Sequence, residues 1–310
     1  NIAISPNEKY MVSSHVSKGL LGYKIDEDLR KSGLTFLTLW DLNSGKIIKK
    51  INAENEIGFS RDLEFLKDNK SFVSYSNNGL RRYGIDGELK YIQFTGGFGG
   101  PIIGGGLLNN DEEMAYLAVG NRIKFVRLAN NNINPLKAIE SRGKHKTVHS
   151  KFNGDGGKVL LSLANNKSKS GAIIYSYIDD KSQRLKSDDQ IRFSSFSPDG
   201  DKIATAGYTR IKEGNTTYTS GSINVFDINN GSILKTLSDD IDGNPRGLSY
   251  SKDGDHLVLA KVNGITIWDA KKDKIHSTLN SDDDPITCMS LDPSGIHIAT
   301  GHSGVTEGNN

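Results

Sequence analysis

Cysteine is nearly absent from the chain. Cys288 stands alone among 310 residues, beside two tryptophans and seven prolines. One cysteine excludes an internal disulfide framework and any zinc site built on cysteines. It fits a reducing compartment, so a cytoplasmic location is expected, although a cysteine-poor periplasmic protein carries the same signature. No run approaches the roughly 18 apolar residues of a membrane span, and no membrane partner is expected. No stretch reads as a signal peptide. Neither charge sign dominates: Lys+Arg 39 against Asp+Glu 37 leaves +2. A dedicated nucleic-acid binder usually shows a strongly basic domain, so nucleic acid is not expected either. No helix-length period-3.6 pattern occurs. Glycine, by contrast, is in excess at 34 residues against few prolines, which points to many turns.

A repeat runs through the chain. Its clearest copy is the turn Ser197-Pro198-Asp199-Gly200 followed by the apolar run Lys202-Ile203-Ala204-Thr205. Pro pre-sets one backbone angle, Asp bonds its own backbone, and Gly takes the left-handed position. Weaker copies align on Asn7, Asp68, Asn110, Asp155, Asp253 and Ser294, with a base period of about 42. Each copy reads as four short strands. The third strand of the best copies ends in an aromatic-acid pair: Trp40-Asp41, Phe226-Asp227 and Trp268-Asp269. The segments Asp41–Gly45 and Asp227–Gly231 superficially resemble calcium loops. They lack the spaced carboxylates and terminal Glu of such loops and read as hairpin turns.

Evenly spaced four-strand units of this period fit the blades of an all-β propeller. The Ser-Pro-Asp-Gly turns, with Trp40-Asp41 and Trp268-Asp269, resemble the WD-repeat propeller family over the whole chain. Blades 1, 5 and 6 carry the likeness best. Blades 2, 3 and 4 have Tyr83-Gly84, Val126-Arg127 and Ser176-Tyr177 at the Trp-Asp position. The family's Gly-His pair, which lies in the loop entering each blade, is missing from those loops, and Gly301-His302 follows a second strand instead.

One propeller domain over 1–310 is expected, with antiparallel four-stranded blades near 1–52, 58–94, 100–139, 146–187, 190–237 and 245–280. A partial blade near 285–310 completes this reading as a seven-bladed type with the last blade unfinished. The chain is then a section of a longer polypeptide. The rival reading is a six-bladed ring with a docked C-terminal hairpin.

Function on such a scaffold sits in loops. The second-to-third-strand loops and the loops entering the next blade share one face. Blade 1 carries an insertion within His15–Thr35 and blade 5 one within Gly207–Gly221, while the loop before blade 4 is basic. The candidate binding residues on this face are Lys24, Arg30, Arg142, Lys144, His145, Lys146, Tyr208, Arg210, Lys212 and Tyr218. Drift of tolerant surface loops is the plain alternative. The glycine runs 96–100 and 104–106 lack the Gly-Lys-Ser/Thr of a phosphate loop, and they read as packing glycines near the innermost strand of blade 3. No catalytic or metal-binding motif stands out among the seven histidines, and no cofactor is expected.

The resemblance implies a non-catalytic scaffold for protein partners, which fits the regulatory part of a larger protein. The alternative is a propeller enzyme or small-ligand binder, lactonase- or oxidoreductase-like, acting at a central channel.

Overall fold

The computed structural model describes residues 1–16, 35–52, 60–76, 79–94, 102–107, 114–119, 122–127, 137–140, 146–153, 157–164, 171–176, 178–187, 189–213, 216–237, 245–281 and 284–303. Every regular element among them is a strand. The chain divides into two compact units, Asn1–Glu140 and Ser141–Asn310.

Unit 1 holds three antiparallel sheets, each built from four strands in chain order. The first comprises β1 (Ile2–Ile4), β2 (Tyr10–Val16), β3 (Thr35–Asp41) and β4 (Lys46–Asn52). The second comprises β5 (Ser60–Phe65), β6 (Ser71–Ser76), β7 (Gly79–Gly84) and β8 (Leu89–Phe94). The third comprises β9 (Ile102–Leu107), β10 (Met114–Val119), β11 (Arg122–Arg127) and β12 (Lys137–Glu140).

Unit 2 holds three more. These are β13 (Lys146–Asn153), β14 (Lys158–Ala164), β15 (Gly171–Ser176) and β16 (Lys181–Lys186); then β17 (Gln190–Phe196), β18 (Lys202–Glu213), β19 (Thr216–Asp227) and β20 (Ile233–Leu237); then β21 (Gly247–Tyr250), β22 (His256–Lys261), β23 (Gly264–Asp269) and β24 (Lys274–Asn280). A two-stranded sheet of β25 (Ile286–Leu291) and β26 (Ile298–His302) follows.

These are propeller blades, as the repeat predicts, but among the described residues there are six four-stranded ones and not seven. β26 has no third strand beside it among the described residues.

The repeated turn is a repeated hydrogen-bond device. The Ser197 hydroxyl accepts the Lys202 amide at 2.9 Å and donates to Asp199, while the Gly200 amide donates to the Ser197 carbonyl at 2.9 Å. Gly200 sits at φ +75°, where a Cβ is disfavoured. Ser251, Asp253 and Gly254 repeat these contacts, and Ser5 and Asn7 repeat them in blade 1 with Glu8 in the left-handed position. In the two-stranded sheet Asp292 replaces the serine, and its carboxylate accepts the amides of Ile296 and His297.

The acid of the aromatic-acid pair has an equally local task. Asp41 accepts the Ser44 amide, Asp227 those of Asn229 and Asn230, and Asp269 those of Lys271 and Lys272. Each closes the turn into the fourth strand, so the two calcium-like segments are hairpin turns.

Second strands are buried on both faces, and neighbouring sheets within a unit pack through them. Between the first two sheets lie Val12, Leu37, Leu39 and Ile51 against Leu63, Phe72 and Tyr83. Between the second and third lie Val73, Tyr75 and Leu80 against Ile102, Leu117 and Val119. There the backbone amide of Leu107 donates to Glu64 at 2.8 Å. Gly105 and Gly106 face aromatic rings: a Cβ on Gly105 would lie 2.3 Å from Tyr75, and one on Gly106 2.6 Å from Tyr116. Packing accounts for this part of the glycine run. Residues 96–100 lie outside the described residues. In unit 2 the Tyr250 amide donates to the Ser195 hydroxyl at 3.0 Å, and Trp268 is buried among residues of the fifth and sixth sheets. The β25–β26 pair closes over Val258, Ala260 and Ile265 with Ile286, Met289 and Leu291.

Bonds from the Lys272 amide and side chain and the Lys271 amide lower the Asp269 carboxyl to about 2, against a smaller opposing push from burial. Its folded value lies below its unfolded one. The stabilisation is therefore complete above the ordinary carboxylate range and is lost as pH falls toward 2. Urea midpoints measured from pH 5 to pH 2 should fall less steeply in Asp269→Asn than in the unaltered protein, because the variant has no such proton to take up.

Candidate interaction surface

The blade 5 insertion is not a loop. β18 and β19 continue past the rest of their sheet as a two-stranded ribbon, paired from Thr209 opposite Ser220 to Glu213 opposite Thr216. β17 stops at Gln190 opposite Tyr208, and β20 stops at Leu237 opposite Ile223. Beyond those points neither strand of the ribbon has a flanking strand among the described residues. Thr, Ile and Tyr favour extended backbone, and Gly214-Asn215 between Glu213 and Thr216 is a two-residue hairpin sequence. The same composition could have shown strand character from sequence.

The ribbon's base is fastened. Arg192 Nη2 donates to the Tyr208 hydroxyl at 2.8 Å, and the guanidinium lies 5.4 Å from the Tyr208 ring centre. Tyr208 is only 2% exposed. It therefore anchors the ribbon more than it displays a surface. Across the base, Asp189 accepts from the Ser222 hydroxyl, Asn224 Nδ2 donates to Ser222 Oγ at 3.1 Å, and Thr236 donates to Asn224 Oδ1 at 2.7 Å. Gly207 leaves no room for a side chain, since a Cβ there would sit 2.7 Å from the Gln190 carbonyl. The sequence reading missed Arg192, Asp189, Ser222 and Asn224. Apart from the Ser222–Asn224 bond, their bonds join positions 12 to 35 residues apart, which spacing within one repeat does not reveal.

The structure gathers four of the ten candidate residues on this one hairpin. Tyr208 lies at its base, Arg210 is opposite Thr219, Lys212 is opposite Thr217, and Tyr218 is opposite Ile211. Lys146 opens β13, opposite Ala164. Lys24, Arg30, Arg142, Lys144 and His145 lie outside the described residues.

The Trp-Asp likeness can be followed into the side chains of blade 1. Trp40 Nε1 donates to the Ser13 hydroxyl at 2.9 Å, and Ser13 meets His15 Nε2 at 2.7 Å. The His15 ring stacks on Phe36 at 5.0 Å, and burial, helped by Lys50, lowers its pKa. The histidine comes from the second strand, not from an entering loop. Thr300 and His302 occupy the same offsets from their turn and meet at 2.9 Å, and His302 Nδ1 lies 2.8 Å from the Asp284 carbonyl. Gly301-His302 is thus the end of a second strand built like the end of β2. Blade 6 has Leu259 where blade 1 has Ser13, so its tryptophan finds no hydroxyl there. No group of three or more His, Cys, Asp or Glu side chains able to hold a metal ion occurs among the described residues.

Removing the Asp189 carboxylate should loosen the ribbon without touching its tip. In Asp189→Ala, amide exchange is expected to rise along 207–224 and to stay unchanged in β22. Unchanged exchange along the ribbon would show that the network does not hold it.

No protein-family model and no characterised protein sequence matches the chain. Among solved structures it is similar to the hydrazine synthase of Kuenenia stuttgartiensis. The similarity has a TM-score of 0.75 at 13% identity and covers 98% of this chain and 95% of that one. At that identity the likeness carries the fold alone. The chain is an all-β protein of β-propeller fold with four-stranded antiparallel blades.

Proposed function

We propose that the chain is a non-catalytic interaction scaffold of WD-repeat-like type, which binds protein partners through the β18–β19 ribbon and the basic loop before blade 4. The observation that carries this reading is the ribbon itself. Its strands run past both flanking strands, and its base is fixed by Arg192–Tyr208 and by Asp189, Ser222 and Asn224. A rigid arm loses little conformational freedom on binding. Unpaired strand edges offer backbone donors and acceptors to an extended segment of a partner. Arg210 and Lys212, with Arg142, Lys144 and Lys146, favour an acidic partner and set its association rate. A reading as a propeller enzyme draws only on the name of the structural neighbour, a synthase, with which the chain shares a fold at 13% identity.

The test is a quantitative pull-down from native lysate with three baits: the unaltered protein, Arg210→Glu/Lys212→Glu, and Arg142→Glu/Lys144→Glu/Lys146→Glu. All three must first show equal circular dichroism and melting. A stoichiometric partner held by the first should be lost or weakened about tenfold or more in both variants. Equal retention by all three removes this surface from the account.

A further inference from the structure

The first strands of the blades share a feature that the turn repeat brings into register. Seven residues before the third turn residue stand Arg61, Ile103, Val148, Arg192, Arg246 and Thr287. In five of these strands that residue is skipped by the ladder: pairing jumps from Ser60 to Asp62, Ile102 to Gly104, Thr147 to His149, Ile191 to Phe193 and Ile286 to Cys288. In the sixth, the Arg246 amide donates to the Ala260 carbonyl at 2.8 Å while Gly247 is already opposite Ala260. Two residues again oppose one. A bulge of this kind turns its side chain out of the alternation that packs sheet on sheet, and bulges are frequent where a side chain must be re-aimed.

Three of the six bulge positions carry arginine, and two of these, Arg192 and Arg246, stand on neighbouring strands of one unit. β17 and β21 are tied directly, since the Tyr250 amide donates to Ser195, four residues after Arg246 and three after Arg192. The two bulges therefore lie at matching heights on adjacent strands. Both residues are half-buried. Arg192 spends one donor on Tyr208, which holds its guanidinium in place, and the rest of its five-donor fork makes no other hydrogen bond among the described residues. Arg246 Nε is enclosed and has no hydrogen-bond partner among the described residues. Two like charges at matching positions repel unless something negative lies between or beside them, and an enclosed guanidinium donor without an acceptor costs stability.

We infer that Arg192 and Arg246 form a binding site for a small oxyanion of the phosphate class. Guanidinium forks bind phosphate oxygens bidentately. Two forks arriving from separate strands suit a tetrahedral group better than one planar carboxylate. Thr287 places a hydroxyl at the same bulge of the next strand, β25, where it donates to the Gly301 carbonyl at 3.0 Å. The site draws on none of the ribbon-tip or basic-loop residues and shares only Arg192, the anchor of the ribbon's base, with the scaffold reading.

The experiment is calorimetric titration of the protein with sodium pyrophosphate, inorganic phosphate and acetate at matched ionic strength, with thermal melting in parallel. Pyrophosphate should bind saturably at one site per chain and raise the melting temperature, and acetate should do neither. Arg246→Gln and Arg192→Gln should each weaken pyrophosphate about tenfold or more. Arg246→Lys should recover part of the binding, because it keeps the charge and loses the fork. Lys181→Gln, an exposed cation on β16, should bind as the unaltered protein does. Each variant is compared with its own ligand-free melting curve, so a general loss of stability is separated from a loss of binding. Absence of saturable binding, equal binding of acetate, or full retention in both Arg→Gln variants overturns the inference.

Discussion

The fold depends on second strands that are buried on both faces. Val12, Val73, Leu117, Leu160, Ala204 and Leu257 all lie in the interior, yet a single four-stranded sheet cannot cover both its own faces. Within each unit a blade must borrow its stability from its neighbour, as in other stacked repeat architectures. Register then becomes the critical quantity, because a slip of one residue would reverse every buried position. The structure fixes register at both ends of the strand. The serine and aspartate of the turn tie the first strand to the second, and the aspartate after the aromatic residue ties the third to the fourth. Outer strands carry less of this burden and leave Ile47, Ile48, Leu234 and Leu279 exposed.

A scaffold fixed in this way can carry departures at its margins. One is the extension of β18 and β19 beyond their sheet, held by Tyr208 and Asp189. Another is the bulge in the first strands of the sheets after the first, which takes one residue of each out of the ladder. Arginine in three of these places is a choice that packing does not require, since Ile103 and Val148 occupy the same position elsewhere.

Much of this was legible in the sequence because it is local. The turn motif, the apolar run after it and the aromatic-acid pair lie within one repeat, and each names its own backbone geometry. What escaped was made by distant partners or by counting across repeats. The 207–221 insertion reads as a loop when glycine at both ends is taken as punctuation, whereas Gly207 and Gly221 are in strand and Gly207 is small because the Gln190 backbone crowds it. Tyr208 looked like a surface aromatic until Arg192, sixteen residues upstream, was seen beneath it. A turn and two strands read as the start of a seventh blade in the repeat, whereas the described residues hold six four-stranded sheets and one two-stranded sheet. The arginine bulges were present in the sequence at constant offset, but without the ladder nothing marks that position as different from its neighbours.

The most direct test of dependence between blades is Gly105→Ala. A methyl group there meets the Tyr75 ring of the adjacent sheet at a distance no packed atoms tolerate. The account predicts a loss of about 1–3 kcal/mol in chemical denaturation, with faster amide exchange in β6 as well as in β9. Unchanged stability, or a change in exchange confined to β9, would contradict the claim that each blade is held by the face of its neighbour.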